Sequence, residues 1–224
     1  CLFKGTSKRK AYRILDCIDG VGGELNAFTT KEETCVYGLY LQQYHERFLD
    51  LLADIVFHST FPEQAIEKEK EVILDEINSY MDTPSEQIFD DFEYRLFGNR
   101  GLGRMILGTP DKVKAMTRER LQDFVRANYT TDNMVVSTIT SIPADKWFAM
   151  CEKHLGKEPK TERTNKRTSI GIYKPTYKCI DRDTYQSHII IGNRAYSYRN
   201  PKKVAFSLLN NILGSGAMNS FLNM

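Results

Sequence analysis

The run from about Pro62 to Tyr80 has a helical pattern, yet two of its glutamates, Glu69 and Glu76, sit where that helix should be apolar. At about 100° per residue, Ile66, Val72, Ile73, Ile77 and Tyr80 share one arc of the helix, and both glutamates fall inside it. Glu67, Glu71 and Asp75 face outward. An ionised carboxylate on a buried face costs several kcal/mol unless it is paired, hydrogen-bonded or bound to a metal. Any fold that accepts this helix must therefore supply partners for two acids. Two solutions stay open at this point: salt bridges to nearby lysines or arginines, or a metal ligand backed by a second, outer carboxylate.

A chain of 224 residues that is 41% hydrophobic can build a real core, as one large domain or two small ones. Its net charge of +2, from 31 basic and 29 acidic residues, gives no general electrostatic reason to bind nucleic acid or an anionic membrane. No apolar run approaches the roughly 18 residues that a membrane-spanning helix needs. Cys1, Cys17, Cys35, Cys151 and Cys179 are scattered, odd in number and without a C-x-x-C pair, which argues against a disulfide framework. A reducing, cytoplasmic compartment is the expectation. His45, His58, His154 and His188 form no H-E-x-x-H or H-x-x-E-H, so these residues hold no complete zinc site. His45 and His58 share one amphipathic helix and read as surface or helix-end histidines. The chain opens on Cys1 and stops at Met224 as a new segment begins, and it reads as a fragment.

Along the chain, Ser7 to Val21 carries Ile14, Leu15 and Ile18 at helical spacing and stops at Gly22-Gly23. Glu24 to Thr30 and Thr34 to Gln42 read as a hairpin joined by a short charged turn. His45 to His58 holds Phe48, Leu51, Leu52, Ile55 and Val56 as an amphipathic stripe that core packing explains. Pro62 starts the helix of the two glutamates. Ile88, Phe89, Phe92 and Leu96 give the next helix its apolar face, and Gly98 closes it. Asn99 to Thr109 is a glycine-rich loop without Walker spacing. Thr117 caps a helix through Tyr129, Asn133 to Thr140 reads as a strand, and Pro143 to Leu155 as a further helix.

These elements predict an α+β fold: a two-layer domain over 1–156, with a mostly antiparallel sheet packed on helices. The stretch 157–176 is basic and poor in apolar residues, a linker rather than a nucleic-acid site, because no base-stacking aromatics interleave its charges. Strands near Tyr177 to Asp183 and Ser187 to Gly192, then a helix around Lys202 to Leu213, begin a second, truncated domain over 177–224. A faint echo links Gly22-Gly23-Glu24-Leu25-Asn26-Ala27-Phe28 with Gly214-Ser215-Gly216-Ala217-Met218-Asn219-Ser220-Phe221, as two related domains would.

Four blocks together resemble the inverted zincins related to insulinase, pitrilysin and the mitochondrial processing peptidase. Leu2-Phe3-Lys4-Gly5-Thr6 is similar to the segment that follows H-x-x-E-H in that family. Gly22-Gly23-x-Leu25-Asn26-Ala27-Phe28-Thr29 is similar to its substrate-side strand. Glu69-x-x-Val72-Ile73-Leu74-x-Glu76-Ile77 resembles the helix of its third metal ligand, and Leu102-Gly103-Arg104-x-Ile106-Leu107-Gly108-Thr109 the block after it. The family spacing would put the second motif histidine immediately before Cys1 and the third ligand at Glu76.

The resemblance implies a zinc-dependent endopeptidase acting on peptides or unfolded protein segments. Glu76 would bind Zn²⁺ directly and Glu69 would tune the site as an outer carboxylate. Asn26, Ala27 and Phe28 would pair with the substrate as an added strand, although a turn or sheet-end role for Asn26 is equally open. Two similar halves, in a homodimer, a heterodimer or one long chain, would close around the substrate. Both histidines and the general-base glutamate are missing from the residues given, so the chain alone is expected to be inactive, since catalytic zinc normally takes three protein ligands. The alternative is a non-catalytic scaffold subunit of the same family.

Overall fold

The structure is a computed structural model, and it describes residues 1–164 and 170–214. Helix α1 (Ala11–Asp19) leads into a hairpin of β1 (Glu24–Thr29) and β2 (Thr34–Leu39), then α2 (His45–Phe57), α3 (Glu63–Met81) and α4 (Pro84–Phe97). The short α5 (Pro110–Lys114) precedes α6 (Arg118–Asn128), α7 (Ala144–Leu155) and α8 (Lys203–Gly214). The chain is thus α+β, with β1 and β2 as the antiparallel pair among the described residues and Asn26 opposite Tyr37.

The core sits between α1, α2 and the hairpin. Ile14, Ile18, Leu51 and Ile55 are fully buried with Phe48 beside them, and Leu25, Val36 and Tyr40 close over this cluster from the sheet. The stripe of α2 therefore does what its spacing predicts. Gly38 is required by the approach of β2 to that layer: a Cβ there would run into the ring of Phe48 at Cε2. Gly22, at φ 74°, supplies the left-handed turn out of α1.

Helix α1 starts at Ala11 rather than near Ser7. Thr6 Oγ1 accepts from the backbone N–H groups of Lys8 (3.1 Å) and Arg9 (2.8 Å), and Gly5 bridges Lys10, so the preceding residues form a side-chain-closed turn in place of a helical one. Thr117 caps α6 as its sequence predicts, its hydroxyl accepting from Arg120 N–H at 3.4 Å. That long, exposed bond puts Thr117→Ala near the lower end of capping losses. Urea unfolding is expected to show about 0.5–1 kcal/mol.

Residues 134–140, 177–183 and 187–192 carry no strand, contrary to the sequence pattern. Val135 (93% exposed), Ile139 (105%) and Ile191 (95%) alternate as strand residues do, but no neighbouring strand meets them among the described residues. A strand exists only through its ladder, and local pattern cannot provide the partner. The segment around 170–194 instead packs on α4. Arg194 donates to the Leu96 and Gly171 carbonyls and lies over the rings of Phe97 and Tyr173, while Arg182 pairs with Asp91 at 2.7 Å. On the aromatic face of α4, Phe92 is a packing residue, since a Cβ on Gly192 would meet its Cζ at 2.6 Å, whereas Phe89 stays 62% exposed. The glycine-rich echo at 215–221 lies outside the described residues. No described helix is long and apolar enough to cross a membrane.

His45 realises one of its two expected placements. As the first residue of α2 it is the helix-end histidine expected, but the surface alternative fails: it is buried, with Nδ1 3.1 Å from Tyr40 Oη and Nε2 2.9 Å from Thr140 Oγ1. Both partners are hydroxyls that can donate or accept, so they satisfy the neutral ring. Burial lowers the His45 pKa and pushes the Tyr40 hydroxyl up to about 12. A histidine that prefers to stay neutral in the folded chain contributes stability above its unfolded pKa, and that stability is lost as pH falls. Unfolding free energy is therefore expected to drop as pH decreases below about 6.5, and His45→Gln to flatten that dependence, in denaturant titrations from about pH 7.5 to pH 5.

Candidate active site

Helix α3 presents its side chains to the core on a narrower arc than the sequence suggests. Ile66 and Ile77 are buried, Ile73 and Tyr80 half-buried, and Val72 is 51% exposed. Going round the helix from Ile66 toward Val72, Glu69 stands on the shoulder of the buried face and Glu76 on the open flank beside Val72. The expectation that both glutamates point into a packed face is thus corrected. Helical angle fixes which residues share a side, but the neighbouring elements decide how much of that side is covered, and α4 and α5, which pack on α3, leave the Val72–Glu76 flank open.

Each glutamate has a different environment. Glu69 Oε1 accepts from Lys4 Nζ at 2.8 Å, and its Oε2 lies 3.8 Å from the Cys1 nitrogen; the Glu69 side chain is 24% exposed. Lys4 lies on the turn formed by Leu2–Lys4, so the beginning of the chain is laid against α3. Of the two solutions the sequence leaves open, a salt bridge to a nearby lysine is realised at Glu69. Glu76 is exposed and makes no hydrogen bond or ion pair among the described residues. Seven residues separate the two, about 10 Å along the axis.

The residues present do not make a metal centre on their own. Among the described residues, no group of three His, Cys, Asp or Glu could hold an ion. Glu76 supplies one free carboxylate, Glu69 is engaged by Lys4, His45 is committed to Tyr40 and Thr140, and His58 faces Glu158 at 3.3 Å. A three-ligand site with one open position cannot be assembled from this set.

Asn26, Ala27 and Phe28 lie inside β1, so Asn26 is a strand residue rather than a turn or sheet-end one. Thr30 N–H donates to the Glu33 carbonyl at 2.8 Å, and the alternation of an antiparallel ladder then turns the backbone groups of Phe28 and Asn26 toward β2 and those of Ala27 and Leu25 to the opposite edge. That edge has no strand on it among the described residues. Ala27 N–H is instead covered by its own neighbour, Asn26 Oδ1, at 2.8 Å. The side chains of Asn26 and Phe28 are exposed, and Phe28 leans on Tyr37 with ring centroids 6.1 Å apart. No hydrogen bond joins Asn26, Ala27 or Phe28 to Glu69 or Glu76 among the described residues. The structure unites Lys4 with Glu69, and β1 with the α1–α2 core, while among the described residues no hydrogen bond or ion pair links the strand to the glutamates. Lys4 escaped the sequence reading as a functional partner; its only signal is its place in the block preceding α1.

Two family models match the chain. Residues 1–110 match the insulinase (peptidase family M16) model, and residues 115–223 the peptidase M16 inactive domain model. An uncharacterised zinc protease of Bacillus subtilis is 35% identical over 224 residues, 98% of this chain and 53% of that protein. One from Mycobacterium leprae is 37% identical over 219 residues, covering 96% of this chain and 49% of that one. Among solved structures, a peptidase M16 inactive domain from Pseudomonas fluorescens superposes with a TM-score of 0.79 over 99% of this chain and 54% of that one, at 20% identity, a likeness of fold. The chain spans about half the length of the curated relatives it matches.

Proposed function

The chain belongs to the insulinase family of peptidases, family M16, and from that premise we propose that the protein containing it is a zinc-dependent endopeptidase acting on extended peptides or unfolded protein segments. The observation that carries the reading is Glu76: an exposed carboxylate with no internal partner, on an uncovered flank of α3, in the helix whose neighbouring turn holds Glu69 through Lys4. A surface glutamate needs no such companion. What sets Glu76 apart is its place in the Glu69-x-x-Val72-Ile73-Leu74-x-Glu76-Ile77 block, within the residues 1–110 that match the insulinase model, with its carboxylate left free while Glu69 is held by Lys4.

In this reading Glu76 contributes one zinc ligand, and the other two ligands and the general base come from residues outside this chain. Glu69 acts by holding its carboxylate and Lys4 in place. Strand β1 binds the substrate backbone: Ala27 offers its N–H and carbonyl to an incoming antiparallel strand once the Asn26 side chain swings away. Such pairing reads main chain rather than sequence, which suits peptides of varied composition. The exposed faces of Asn26 and Phe28 supply what side-chain preference there is.

A second reading, a non-catalytic scaffold subunit of the same family, is favoured by the description of the model that matches residues 115–223, an inactive domain. Metal analysis and peptide hydrolysis on the full-length protein separate the two. Near-stoichiometric zinc with cleavage of an unstructured peptide supports the peptidase; a metal-free protein that cleaves nothing leaves the scaffold.

A further inference from the structure

The turn joining β1 and β2 carries a lysine held too completely for a surface cation. The Lys31 side chain is 17% exposed, and its Nζ donates to Asp90 Oδ1 at 2.7 Å, Glu93 Oε2 at 2.8 Å and the Arg104 carbonyl at 2.6 Å. An ammonium has three protons, and each has an acceptor. Asp90 is itself fixed from the other side by Tyr80, whose hydroxyl donates to Oδ2 at 2.7 Å. Burial alone would lower the Lys31 pKa, but the bonds and charges of Asp90 and Glu93 outweigh it and the net shift is upward, so the group stays a cation. One network thus ties the hairpin tip to α3, to α4 and to the loop at Arg104.

The tip is also braced internally. Thr30 Oγ1 accepts from the N–H groups of Glu32 (3.3 Å) and Glu33 (3.2 Å), which makes the turn move as a unit with Lys31. At the other end of the hairpin, Leu25, Val36 and Tyr40 rest on the α1–α2 core. Asn26, Ala27 and Phe28 lie between these two fixings.

We propose that Lys31 is a positioning residue for the substrate strand: by tethering the hairpin tip to Asp90, Glu93 and the Arg104 carbonyl, it holds the open edge of β1 in the register an extended peptide requires. The inference rests on the peptidase reading above and adds to it the element that sets the strand's position. The six residues of β1 span about 20 Å, so freeing the tip turns the strand into a lever pivoting on its core-anchored end. A swing that moves the edge by on the order of 1 Å is enough to cost up to about 100-fold in productive binding.

The test uses the full-length protein, wild type against Lys31→Met and Lys31→Arg, with an unstructured fluorogenic peptide as substrate. Lys31→Met is expected to raise KM about tenfold while kcat and zinc stoichiometry stay within about twofold, and to speed amide hydrogen exchange over 24–30. Lys31→Arg, which keeps the charge and donors, is expected to recover most of the wild-type KM. Asp90→Asn, which weakens the same tether from its other end, should raise KM in the same direction. An unchanged KM in Lys31→Met overturns the inference and leaves the peptidase standing; so does a parallel loss of kcat, zinc and KM, the mark of general structural damage. A wild-type protein that cleaves no peptide overturns the peptidase reading, and the positioning role with it.

Discussion

Glu76→Gln in the full-length protein is expected to abolish stoichiometric zinc binding and to slow peptide hydrolysis by on the order of 10³-fold, about 4 kcal/mol of barrier, with the fold intact. The amide keeps the size and helix propensity of glutamate but loses the negative charge and most of the donor strength toward a dication. The loss falls on metal affinity and not on folding because Glu76 is exposed and bonded to nothing among the described residues, so its replacement strands no partner. Glu69→Gln provides the contrast. It weakens one ion pair with Lys4 that is itself 41% exposed, so its stability cost should stay within about 1 kcal/mol, and its effect on metal affinity or activity within about 10–100-fold. Zinc content by elemental analysis, activity on an unstructured peptide and far-ultraviolet circular dichroism read the three quantities. Unchanged zinc stoichiometry in Glu76→Gln would refute the ligand assignment.

The difference between these two glutamates also shows where sequence stops being informative. The spacing of Phe48, Leu51, Leu52, Ile55 and Val56 places α2 almost to the residue, because a helix stripe is a local property and the core takes all of it. The same wheel, applied to α3, puts Glu69, Val72 and Glu76 with Ile66 and Ile77, and only the neighbouring helices distinguish a covered angle from an open one. The stretches 134–140 and 187–192 have strand composition, but strand pairing is made elsewhere in the chain, so composition alone could not establish it. His45 was legible in principle: it stands three residues before Phe48 and seven before Leu52, in register with the buried stripe. Lys31 was not. In a charged turn it reads as solvated, and its acceptors at Asp90 and Arg104 lie 59 and 73 residues away. The four family-like blocks carry functional information that the physical pattern lacks, since no periodicity distinguishes a ligand glutamate from a solvated one.

Arg9→Met is expected to destabilise the protein by about 3–5 kcal/mol, although Arg9 touches nothing in the proposed site. Asp54 is fully buried in α2 between the core leucines and isoleucines. Its Oδ2 accepts from Arg9 Nη1 at 2.6 Å and from Thr6 Oγ1 at 2.8 Å, while Oδ1 has no partner. The carboxylate thus already carries one unsatisfied lone-pair set, and the guanidinium is what offsets its desolvation; Arg9 also reaches Asp50 with its other nitrogen. Removing the cation leaves a buried charge with a single hydroxyl, which is why the cost exceeds that of an exposed pair. The pair as a whole need not be stabilising. Arg9→Met combined with Asp54→Leu replaces two desolvated charges by apolar side chains of similar volume, and most of the lost stability should return, to within about 1–2 kcal/mol of wild type. Urea unfolding of the wild type, both single variants and the double variant closes the cycle. If Arg9→Met alone costs less than about 1 kcal/mol, the carboxylate is not dependent on it, and the tie between the Thr6–Arg9 turn and α2 is carried by Thr6. If the loss is large and the double variant recovers it, the network specifies where the start of the chain lies against α2, and through Lys4 where it meets Glu69.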